Sequence, residues 1–154
     1  MICSFFILFY RVLKNWNDYF IILNDHFKYK KMRVLLVDDD LMHLLILKRI
    51  FETSQDIVVT AHNGKEALEI LSENSDFHVI LTDIQMPEMD GVELLAKVKE
   101  NGRTNKIPVI GFTSGDVGYY RKISSIPFDS LVPKPLNFSD LHHIAKEKAL
   151  HDLN

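Results

Sequence analysis

The stretch Val34-Leu35-Leu36-Val37-Asp38-Asp39-Asp40 runs four apolar residues into three carboxylates. A short unbroken apolar run reads as a strand buried on both faces, the habit of parallel sheets. The abrupt switch to acid marks the strand's carboxyl end. Working outward, strand and helix patterns alternate. Residues 41–52 have a helical apolar period, and 57–61 form a β-branched strand. Asn63-Gly64 could open a hairpin, but a helical period over 65–73 follows, so it reads as a strand-to-helix turn. A third strand is predicted over 77–81, a loop over 86–91, and a helix over 92–99 closed by Asn101-Gly102. A fourth strand at 107–112 precedes a short, weak helix within 114–123. A brief fifth strand at 130–132 is cut off by Pro133, and Asn137 can cap a last helix running to about 150.

Strands alternating with helices imply an α/β fold, with a parallel sheet covered on both faces. Right-handed crossovers make it doubly wound. The ligand site of such folds lies at the carboxyl ends of the strands. There the chain places Asp38, Asp39 and Asp40 after the first strand and Asp83 after the third. Thr113 and Ser114 follow the fourth strand, and Lys134 with Pro135 follows the fifth. Carboxylates this close repel one another when ionised. A hard cation with oxygen ligands relieves that repulsion, and Mg²⁺ suits a site of one or two carboxylates, waters and phosphate oxygens. One carboxylate could then act as nucleophile and take up a phosphoryl group. Lys134 could supply a second positive charge and Thr113 a hydroxyl donor.

These residues resemble the response-regulator receiver domains of two-component signalling. The likeness rests on 34–40, on Ala61-His62-Asn63-Gly64-Lys65-Glu66-Ala67-Leu68, and on Asp83-Ile84-Gln85-Met86-Pro87-Glu88-Met89-Asp90-Gly91. Ile107-Pro108-Val109-Ile110-Gly111-Phe112-Thr113 and Lys134-Pro135 complete it. The resemblance implies a CheY-like, flavodoxin-like sheet of five parallel strands in the order 2-1-3-4-5. It implies that Asp83 is the phosphoacceptor, that Asp39 and Asp38 are the metal-ligating acidic pair, and that Gln85 offers its backbone carbonyl to Mg²⁺. Thr113 would follow the phosphoryl group, Lys134 would contact it, and Pro135 would follow a cis peptide. The implied partners are a histidine kinase or a histidine phosphotransfer protein upstream, and an unidentified protein downstream. A homodimer formed on phosphorylation stays among the options. Conventional enzyme turnover is not implied.

The chain departs from the family at Leu131, where an aromatic residue often serves as a rotamer switch, and at Pro133, which suits an edge strand. Helix 41–52 is unusually apolar. Its period is read with Met42, Ile46, Leu47 and Ile50 toward the core, leaving Leu44 and Leu45 at the rim. By family analogy this helix docks the phosphodonor, so Leu44 and Leu45 are candidate contacts. Two alternatives remain. A haloacid-dehalogenase-like phosphatase would use Asp38 as nucleophile, with Asp38 and Asp40 in its Asp-x-Asp spacing. A phosphorylation-independent interaction module would keep the fold alone.

The 154 residues suit one domain, and a net charge of −3 offers no concentrated basic patch for nucleic acid. The single cysteine, Cys3, excludes an internal disulfide and fits a reducing, cytoplasmic setting. Residues 1–31 form an apolar, aromatic extension ahead of the receiver domain at 32–154. Its apolar run over 2–12 is shorter than the roughly 20 residues of a membrane span. It reads as a stretch upstream of a start at Met32, as a packing segment, or as a peripheral anchor ending in Lys28, Lys30 and Lys31. His142 and His143 are neighbours and point to different helix faces, a poor metal pair. The other histidines carry no assignment.

Overall fold

A computed structural model describes residues 31–151. The expectations about residues 1–30 and the last three residues lie outside that range. Within it, five strands run β1 Arg33–Val37, β2 Ile57–Ala61, β3 Val79–Asp83, β4 Val109–Thr113 and β5 Ser130–Pro133. Five helices follow them in turn: α1 Leu41–Thr53, α2 Gly64–Glu73, α3 Gly91–Glu100, α4 Val117–Ile123 and α5 Phe138–His151. The sheet order is β2-β1-β3-β4-β5 with every pair parallel, as predicted. Pro133 lies on the edge strand β5, where a missing N–H costs no ladder bond.

The unbroken apolar run of β1 is explained by the two cores it serves. Side chains alternate across a strand. Val34 and Leu36 join one core with Leu44, Leu47 and Phe51 of α1 and Leu141, Ala145 and Ala149 of α5. Leu35 and Val37 join the other with Ala67 and Leu71 of α2 and Leu94, Leu95 and Val98 of α3. Both faces are covered, so the strand needs apolar residues at every position. Among the described residues, no helix is long and apolar enough to cross a membrane.

Three local expectations shift. β3 and β4 start two residues later than predicted and end on polar residues. Phe77 and Ile107 are buried but sit in turns, where their N–H groups donate to Ser75 and Thr104 carbonyls. The ladder begins at Val79 and then carries Thr82, Asp83 and Thr113 into the interior. Helix α3 does not end on a left-handed Gly102, since none of the described glycines has a positive φ. Instead the Asn101 carbonyl accepts from Thr104 and Asn105 N–H in a following turn.

The phase of α1 is the larger correction. Leu44, Leu47 and Phe51 face the core, and Leu44 is buried rather than at the rim. Met42 is 62% exposed and Ile46 38%, against the predicted inward face, while Leu45 is exposed as expected. With apolar residues around most of the helix, periodicity could not choose the face. Leu44, Leu47 and Phe51 form one helical stripe, and Asp40 caps the start of α1 by accepting from Met42 and His43 N–H.

Candidate functional site

The parallel register brings the carboxyl ends of β1, β3, β4 and β5 side by side, with Asp83 opposite Phe112 and Thr113 opposite Pro133. Main-chain bonds then tie the loops together. Ile84 N–H donates to the Phe112 carbonyl at 3.0 Å, and Lys134 N–H to the Thr113 carbonyl at 2.7 Å. Helix α3 is pulled against the loop after β3 through Gly91, whose N–H donates to the Ile84 carbonyl at 3.0 Å. A Cβ at Gly91 would lie 2.5 Å from the Asp83 carbonyl oxygen, so only glycine permits that approach. Asp90 caps α3, and Glu93 returns the bond to its N–H in a reciprocal box. The peptide bond between Lys134 and Pro135 is cis.

This framework brings four of the predicted side chains together, Asp38, Asp39, Asp83 and Lys134, with Thr113 at the adjoining end of β4. Carboxylate oxygens of Asp38, Asp39 and Asp83 all lie within 4.8 Å of one another. Lys134 Nζ contacts Asp83 Oδ2 at 2.7 Å and stands 3.8 Å from Asp38 Oδ2. It also lies 5.2 Å above the centroid of the Phe112 ring. Thr113 is fully buried, and its Oγ1 accepts from Gly115 N–H at 2.9 Å. Gln85 is exposed, and its N–H donates to Asp83 Oδ1 at 3.2 Å. Asp38 and Asp83 are buried while Asp39 is exposed, so the cluster opens to solvent on the Asp39 side. Asp40 stands apart as the helix cap, and those backbone bonds hold its carboxyl below the usual range.

Burial pushes the Asp38 carboxyl up. The Asp40 N–H, the Lys134 ammonium and His43 oppose that rise, and the Asp83 charge adds to it. A buried carboxylate pressed against a second one is a group that gains from a cation. The donor set is all oxygen and nearly all carboxylate, which fits a hard divalent ion rather than a thiophilic one.

Sequence reasoning missed two histidines. His43 Nδ1 lies 3.3 Å from Asp38 Oδ2. Its signal was present: it is one turn into the helix that follows the acidic run. His142, expected with His143 only to make a poor metal pair, meets the buried Asp56 Oδ2 through its Nε2 at 2.9 Å. Nothing local in the sequence announces that pairing.

A family model described as the response regulator receiver domain matches residues 34–146. The chain belongs to the response regulator receiver family. The two-component response regulator ORR3 of Oryza sativa subsp. indica is 42% identical over 81 residues, covering 53% of this chain and 62% of that protein. The chain therefore matches less than two thirds of the length of this relative. The two-component response regulator ARR17 of Arabidopsis thaliana is 33% identical over 127 residues, covering 75% of this chain and 83% of its own. Among solved structures, the response regulator TrrA of Thermotoga maritima, in complex with Mg(2+)-BeF, superposes with a TM-score of 0.67 at 28% identity. That match covers 76% of this chain and 98% of TrrA. The receiver family's doubly wound fold is the one described above, and its membership displaces the haloacid-dehalogenase-like alternative.

Proposed function

We propose that this receiver domain accepts a phosphoryl group on Asp83 from a phosphohistidine of a histidine kinase or a histidine phosphotransfer protein. The observation that carries the reading is the convergence of Asp38, Asp39 and Asp83 within 4.8 Å, with Lys134 Nζ at 2.7 Å from the Asp83 carboxylate. Asp38, Asp39, Asp83 and the Gln85 backbone carbonyl would hold Mg²⁺. When bound, that ion supplies charge neutralisation for the transferring phosphoryl oxygens. The Asp83 carboxylate forms the new O–P bond while the N–P bond of the donor breaks, and the freed imidazole recovers a proton. The Gln85 N–H and Lys134 hold Asp83 from its two oxygens and fix its orientation. Thr113 then turns its hydroxyl toward a phosphoryl oxygen, giving up its role as acceptor for Gly115.

The exposed apolar side chains of α1, Leu41, Met42 and Leu45, offer a docking face beside this site. Leu44 leaves that proposal, since it is buried in the core. Readout falls to the face of α4, β5 and α5, where Tyr119 and Ile123 are exposed on α4. A downstream protein or a second copy of the chain would meet that face once the Asp83 charge draws Thr113 and Lys134 inward. Leu131 stands in β5 in place of the aromatic residue often found there, so the signal travels through Thr113 and the start of α4.

Beryllofluoride titrated into the full chain tests the proposal. Amide resonances of Asp83, Gly115 and Lys134 should shift only when Mg²⁺ is also present, and not in Asp83→Asn. Shifts that persist in that variant, or that need no Mg²⁺, would contradict it.

A further inference from the structure

We propose that His43 is a positioning residue for the metal centre, acting through Asp38; this rests on the Mg²⁺ reading above. Asp38 is the buried member of the acidic pair, and its two oxygens have different partners. Oδ1 accepts from the Asp40 N–H at 2.9 Å. Oδ2 faces His43 Nδ1 at 3.3 Å and Lys134 Nζ at 3.8 Å. Lys134 is committed more closely to Asp83, at 2.7 Å. His43 is therefore the nearer partner of Asp38 Oδ2 and sets the rotation of the carboxylate about its Cβ–Cγ bond. An ionised carboxylate only accepts, so Nδ1 carries the hydrogen.

The aim of the imidazole is built into the helix start. Asp40 Oδ1 accepts from the Met42 and His43 N–H groups at 2.8 and 3.3 Å, which fixes the first turn of α1. Side chains on a helix lean toward its N-terminus. His43 consequently leans back over Asp38, five residues earlier. Its second acidic neighbour, Asp40 Oδ2, is farther away at 3.8 Å. The side chain is about a third exposed, so the contact with Asp38, rather than core packing, accounts for its place. Hydrogen bonds that orient a ligating carboxylate support metal affinity without touching the ion, and losing one costs about tenfold or more.

The test uses side chains branched at the same atom. Asn places an amide nitrogen on Cγ where His has Nδ1, while Leu places a methyl there. Mg²⁺ affinity of the full chain is measured by calorimetry and Mn²⁺ affinity by electron paramagnetic resonance. Both use the natural chain, His43→Leu and His43→Asn, with thermal unfolding in EDTA as the control. The expected result is a roughly tenfold weaker metal affinity in His43→Leu, largely recovered in His43→Asn, with similar unfolding temperatures. If His43→Leu loses the fold, His43→Ala takes its place. Equal or tighter binding by the Leu variant, or an Asn variant as weak as Leu, would overturn the positioning role alone. No metal binding by the natural chain would overturn the Mg²⁺ reading and the role together.

Discussion

Asp38 concentrates the energetic conflict of the site. Burial raises its carboxyl, so the folded state holds that proton more tightly than the unfolded chain does. Ionised Asp38 therefore costs stability above its folded value. That cost is relieved as pH falls through the folded value and is gone below the ordinary carboxylate range. Asp38→Asn should raise the unfolding temperature in EDTA at neutral pH by about 3 °C, roughly 1 kcal/mol for a chain this long. The gain should fade in acid, and thermal melts across pH measure it. Mg²⁺ should reverse the order, stabilising the natural chain more than the variant. The residues of this site were legible because each strand end carries a distinctive type: Asp38, Asp39, Asp83, Thr113, Lys134. The contacts that frame them were less so, because the close approach of Gly91 to the Asp83 carbonyl is geometry that no residue type announces.

At the scale of elements, α1 separates what packs from what recognises. Leu47 and Phe51 are fully buried, and truncating either to Ala would cost about 3 kcal/mol. Leu45 is 61% exposed on the same helix. Leu45→Glu should leave the unfolding temperature and labelling by a small phosphodonor unchanged. It should slow transfer from a phosphohistidine protein about tenfold, the equivalent of roughly 1.4 kcal/mol of contact. Parallel rates for the two proteins in a phosphotransfer assay would remove α1 from the docking face. The sheet itself was readable, since strands buried on both faces leave continuous apolar runs such as 34–37. Its boundaries were less so, because turn residues Phe77 and Ile107 are as apolar as the strands they precede. The face of α1 was misread because Leu, Met and Ile surround most of it, so more than one stripe has a helical apolar period.

Across the whole molecule, the site sits at one end of the sheet and a second polar clamp holds the other. Asp56, buried just before β2, accepts the Met32 N–H at 2.9 Å with one oxygen and His142 of α5 with the other. The His142 ring meets Phe51 edge-on, with centroids 4.9 Å apart. One carboxylate thus joins the starts of β1 and β2 to α5, across a sequence gap that hides the pairing. Asp56→Ala leaves a buried N–H and an imidazole unmatched and should cost roughly 3 kcal/mol in urea unfolding. Phosphorylation should survive at temperatures where the variant is folded. The most direct measurement of the central claim is intact mass after incubating the full chain with Mg²⁺ and acetyl phosphate. One added phosphoryl group, lost in Asp83→Asn and in EDTA, is the predicted result. A folded chain that gains no phosphoryl group would contradict it and leave a phosphorylation-independent interaction module, and equal labelling of Asp83→Asn would contradict Asp83 as the acceptor.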